Sequence, residues 1–129
     1  MDYYPKKTQL PRDIYNRVLW LVRGYDRMTE EVEAMVTKSK TGEPTGGGGT
    51  SDPTATAAAR RERTKADIKA IDDALQVLPE EYRAVVFESI KDGRPMRTFP
   101  AYDYAAQKTW STWRLRFIYW VAVNKGWWA

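Results

Sequence analysis

Apolar side chains in this chain recur every three or four residues, and nowhere do they alternate with polar ones beside turn chemistry. That period belongs to a helix with one buried face, so the spacing predicts an all-α fold. From Pro11 to about Val36 the series is Ile14, Val18, Leu21, Val22, Tyr25, Met28, Val32, Met35 and Val36. Pro11 suits a first helical turn, where its missing N–H is not required. Gly24 falls inside the pattern and weakens it by about 1 kcal/mol relative to Ala. One long N-terminal helix with a soft point at Gly24 is expected over 1–36.

The period stops over 37–52, where Thr41-Gly42-Glu43-Pro44-Thr45 and Gly46 to Gly49 read as a flexible linker, because glycine imposes no backbone preference. A phosphate-cradling loop would need a preceding strand and a Lys followed by Ser or Thr, and neither is evident. Asp52-Pro53 looks like an N-cap and first helical residue, from which Ile68, Ile71, Leu75 and Leu78 carry a second helix to Pro79. Its basic cluster of Arg60, Arg61, Arg63 and Lys65 fits a solvated face, with an auxiliary phosphate contact as the alternative. Pro79 then starts a third helix, with Glu80 and Glu81 at its positive end and Tyr82, Val85, Val86, Ser89 and Ile90 at helical spacing until Asp92-Gly93. The carboxylates Asp72, Asp73, Glu80 and Glu81 serve capping and solvation rather than catalysis. Pro95 and Pro100 forbid a regular helix over the next stretch, apart from a short turn over Ala101 to Ala105. A last helix runs from about Ala106 to Lys125 and stops at Gly126. The expected architecture is a helical bundle in which 1–36 is joined through 37–52 to a helical domain at 53–129.

The sequence contains no Cys and no His, which removes thiolate nucleophiles, disulfides, imidazole acid–base chemistry and the usual zinc ligands. No catalytic, cofactor or metal-binding residues are assigned, and an enzyme is not expected. The N-terminus has no apolar core of the signal-peptide kind, and the longest apolar run, Phe117 to Val123, is far below the roughly 20 residues of a membrane span. A location in the cytoplasm, with no membrane partner, is the expectation.

Charge is distributed unevenly. Residues 91–129 hold seven basic side chains against two acidic ones, a net of +5, whereas the first 90 hold 14 against 15. All of the positive excess therefore accompanies the last helix, the footprint of a module that docks on nucleic acid. Placed at 100° intervals, Trp110, Trp113, Phe117, Trp120 and Val121 share one side of that helix, Lys108, Thr112 and Arg116 the other, and Thr109 and Arg114 flank the apolar stripe. The aromatic spacing fits a core; a base-stacking platform would require exposed rings. Trp127 and Trp128, beyond Gly126, either clip back onto the core or meet a second copy of the chain. The polar N-terminal half suits a major groove about 12 Å wide. Lys108, Thr109, Ser111, Thr112, Arg114 and Arg116, with Arg94 and Arg97 upstream, are the candidate DNA contacts.

Two segments also look familiar. Leu78-Pro79-Glu80-Glu81-Tyr82-Arg83 with Val85-Val86 resembles the opening of sigma-factor region 4. Trp110-x-x-Trp113-Arg114-x-Arg116-Phe117-Ile118-Tyr119-x-Val121-Ala122 resembles the C-terminal motif of small phage and prophage regulators, the RinA-like late transcriptional activators. The likeness is specific over 78–126 and implies a degenerate helix-turn-helix, because Arg94 to Ala105 replaces the tight turn and lacks a turn glycine. It further implies a regulator of phage or prophage origin that binds double-stranded DNA and activates late genes with host RNA polymerase. Host polymerase and a homodimer stay open as protein partners. The alternatives are a packaging adaptor of the small terminase type, and an interaction module in which Arg114 and Arg116 meet an acidic protein.

Overall fold

The computed structural model describes residues 10–40 and 53–128, with side chains for 10–34 and 55–128. Five α-helices follow in order: α1, Arg12–Arg23; α2, Tyr25–Lys40; α3, Pro53–Val77; α4, Glu80–Asp92; and α5, Gln107–Asn124. Two 3-10 turns, Met96–Thr98 and Pro100–Tyr104, fill the connection from α4 to α5, and no strand occurs among the described residues. The fold is all-α. The glycine-rich stretch 41–52 lies outside the described residues. The helix before it continues to Lys40 instead of ending near Val36.

The N-terminal helix is not one long helix but two, meeting at Gly24. Gly24 takes φ −85° and ψ 3°, and its N–H donates to the Leu21 carbonyl at 3.1 Å, the i→i−3 pattern of a tightened last turn. The break has a packing reason. Before it α1 lies mainly against α4 and α5, whereas after it α2 lies mainly against α3.

α5 is the hub of the bundle and touches α1, α3 and α4. Trp110, Phe117 and Val121 are fully buried, as their spacing predicts, while Trp113 and Trp120 are only half-buried. Ile118, Tyr119 and Ala122, outside the predicted stripe, are buried as well. The second half of α5 is therefore enclosed on nearly all sides, as expected of a helix apolar around its circumference. Val18, Val22 and Met28 from the N-terminal pair join Ile71, Ala74, Leu78, Val86 and the α5 residues in a single core.

Glycines end α4 and α5 in the same way. Gly93 adopts φ +66° and Gly126 φ +74°, the left-handed region that costs residues with a Cβ. At Gly93 the N–H donates to Ile90 C=O at 3.3 Å and the next N–H, of Arg94, to Ser89 C=O at 2.9 Å. At Gly126 the corresponding bonds run to Val123 and, from Trp127, to Ala122, both at 2.9 Å. This is the Schellman arrangement, which satisfies carbonyls left open by the helix end. It also turns Trp127 back onto the bundle, where Arg17 of α1 lies 5.1 Å from the ring centre. The terminal indoles clip onto the core. No helix among the described residues is long and apolar enough to cross a membrane.

Candidate nucleic-acid interface

The start of α5 is held by a stack of rings. Trp110 donates its indole N–H to Tyr102 C=O at 2.7 Å, lies nearly parallel to the Tyr102 ring at 5.8 Å, and meets Tyr82 edge-on at 4.9 Å. Tyr82 in turn stacks on Trp113 at 5.7 Å. A buried tryptophan needs an acceptor for its N–H, and the 3-10 turn supplies one. These contacts fix the 93–106 connection and the first turns of α5 as one body, so polar groups on that body keep their relative positions.

The chain neutralises some of its C-terminal cations. Lys91 pairs with Asp26 at 3.0 Å, and the hydrogen bond it donates there holds its ammonium above the usual lysine range despite the opposing effect of burial. Lys125 pairs with Asp67. The remaining five basic residues of this end, Arg94, Arg97, Lys108, Arg114 and Arg116, have no salt bridge to a described carboxylate. All five lie on the first three turns of α5 or on the connection that leads into it.

The predicted site residues do not form a single patch. Lys108 and Ser111 are exposed on the outward face of early α5, and Thr112 lies beside them, half-buried. Its hydroxyl donates to Lys108 C=O at 2.8 Å. Thr109 is half-buried nearer the core. Leu115, 44% exposed, completes the outward face, and spacing alone did not single it out. Arg116 continues the Lys108–Thr112 row but folds back, its guanidinium 4.8 Å from the Trp113 ring centre and its Nε buried without an acceptor among the described residues. A guanidinium is weakly hydrated and stacks readily on indole, which explains why this arginine does not extend into solvent.

Arg114 projects from another side of α5, where it donates to the Tyr15 hydroxyl of α1. There it borders an open cleft of about 340 Å³ together with Arg94 and with Arg23, the last residue of α1. Arg23 was not foreseen, since nothing in its local sequence connects α1 with α5. Arg94 is held by Thr98, whose hydroxyl and carbonyl accept at 2.7 and 3.1 Å, and it stacks over Phe99 at 4.0 Å. Arg97 is exposed on the first 3-10 turn. The candidates thus divide among an outward face of α5, an arginine-lined cleft beside it and the stacked Arg116, with Arg97 apart on the first 3-10 turn and Thr109 turned toward the core.

No protein-family model, curated protein or solved structure matches the chain. With neither Cys nor His in the sequence, thiolate and imidazole groups are absent from this arrangement.

Proposed function

We propose that this protein binds double-stranded DNA through the first half of α5 and the connection before it, and that it acts as a transcriptional regulator. One observation carries the reading: five of the seven cations of the C-terminal end lack a described carboxylate partner, and all five are on that one body. A cation without a carboxylate beside it is available to attract phosphate. Lys108 and Ser111 present donors, and Thr112 an acceptor oxygen, from a helical face that fits a major groove, with Leu115 as an apolar neighbour suited to a thymine methyl group. In this reading Arg94 and Arg97, on the connection into α5, contact phosphates beside the groove.

The helix-turn-helix in this reading is a wide one. Residues 93–106 separate α4 from α5, where an ordinary motif has a turn of three or four residues. The two 3-10 turns and their ring contacts take over the positioning task of the tight turn. The likeness of 78–126 to sigma-factor region 4 and to RinA-like regulators supports a role at promoters, with host RNA polymerase as the protein partner and phage late genes as the target.

Lys108→Ala and Arg97→Ala are the direct tests, because both side chains are exposed and neither holds the fold together. Lys108→Ala is expected to weaken specific binding by about 1–3 kcal/mol where a base is read, and Arg97→Ala to weaken it evenly across sequences. Fluorescence anisotropy on duplexes selected from a random pool measures both. Absence of any DNA binding by the unaltered protein at about 50 mM salt, where phosphate attraction is strong, would refute the proposal.

A further inference from the structure

Two half-buried cations of the C-terminal end are matched with carboxylates, Lys91 with Asp26 and Lys125 with Asp67. The cleft between α1 and the α4–α5 connection instead gathers three arginines, two exposed and one half-buried, with no such match. Arg23, Arg94 and Arg114 border it from three separate elements, and no Asp or Glu is among the residues that line it. Like charges brought to one small cleft repel each other, and a bound anion relieves the repulsion.

The groups that hold these arginines are neutral. Arg94 is oriented by Thr98 and Phe99, Arg114 by the Tyr15 hydroxyl, and Arg23 lies over the Trp20 ring at 5.2 Å. Neutral acceptors and ring faces fix direction without cancelling charge. A guanidinium has five N–H donors, so Arg94 and Arg114 each retain donors beyond those already engaged. Gly93 adds access: space is open where its Cβ would lie, and a ligand can approach the backbone there.

We infer that this cleft binds a phosphate group, with Arg23, Arg94 and Arg114 as its ligands, and that the phosphate belongs to the DNA backbone. The last turn of α1 is then part of the DNA-binding surface. The origin of the phosphate rests on the proposed function; the cleft's affinity for phosphate does not.

Two arms of one experiment separate these statements, using the full chain and the variants Arg23→Ala and Arg23→Lys, each checked for unchanged helicity by circular dichroism. In the first, inorganic phosphate is titrated while the arginine Nε–Hε resonances are followed. Arg23, Arg94 and Arg114 are expected to shift together with one dissociation constant, Arg97 to stay still, and Arg23→Ala to weaken the shared shift at least tenfold. In the second, binding to duplex DNA is measured against salt. Arg23→Ala is expected to reduce the slope of log K on log salt by about 0.9, the value of one phosphate contact, and Arg23→Lys to retain it because the charge remains. Joint shifts without a change in slope would overturn the DNA origin and assign the cleft to a small phosphorylated molecule. No joint shift and no slope change, with Lys108→Ala still weakening DNA binding, would overturn the cleft and leave the proposed function standing. If the unaltered protein binds no DNA, the proposed function falls and the phosphate titration alone decides the cleft.

Discussion

Tyr25 shows how a single side chain ties two helices together and makes stability depend on pH. Its hydroxyl, on the first residue of α2, donates to Asp72 of α3 at 2.9 Å, and its ring meets Phe87 of α4 edge-on at 4.9 Å. Burial, the hydrogen bond to Asp72 and the charges of Asp72 and Asp26 all disfavour the phenolate, and its pKa is pushed up to about 12. An unfolded tyrosine titrates near 10. A group whose folded pKa is raised stabilises the fold fully below the unfolded value and loses that contribution as pH climbs through the folded one. Unfolding free energy is therefore expected to fall between about pH 10 and pH 12, and Tyr25→Phe to be less stable below pH 10 yet flatter across that window. Urea titrations at several pH values measure both; an equally steep fall in the variant would assign the dependence to other groups.

At the scale of elements, the two ends of the α1 and α4 helices use glycine for different purposes. Gly24 has negative φ, and a Cβ there would come 3.1 Å from Nη2 of Arg27, the far end of a flexible side chain. Nothing in the backbone demands glycine at this position. Gly24→Ala is expected to stabilise the protein by about 0.5–1 kcal/mol, chiefly by restricting the unfolded chain. Gly93 has open space around it but φ +66°, so Gly93→Ala meets no neighbour and is still expected to cost about 1–2 kcal/mol. Shifts of opposite sign in the urea midpoint are the expected result. Two shifts of the same sign would show that the break at Gly24 needs glycine after all, or that Gly93 is not the conformational stop of α4.

At the scale of the molecule, α1 and α2 are structural members of the bundle, not an appendage to it. Val18, Val22 and Met28 are buried in the same core as Phe117 and Ile118. Burying three such side chains stabilises by roughly 5–9 kcal/mol, a large share of the 5–15 kcal/mol that is typical of a whole small domain. A chain beginning at residue 53 is accordingly expected to lose its cooperative thermal transition, as followed by circular dichroism at 222 nm. A sharp transition near that of the full chain would show that α3 to α5 suffice. The same packing brings Arg23 to the cleft, so the fold and the proposed phosphate site depend on the same contact between α1 and α5.

Helical spacing was enough to place Trp110, Phe117 and Val121 inside, to start α3 at Pro53 and α4 after Pro79, and to stop helices at Gly93 and Gly126. These are local matters, governed by the 3.6-residue period and by the φ limits of proline and glycine. The same period separates Arg114 from Arg116 around α5. What it cannot supply is the identity of the element that covers each face. The division at Gly24, the enclosure of Ile118, Tyr119 and Ala122, the folding back of Arg116 onto Trp113 and the meeting of Arg23 with Arg94 and Arg114 all depend on how helices cross. Spacing along one helix fixes directions about its own axis. Only tertiary packing fixes the axes relative to each other, and that decides which distant cations share a cleft.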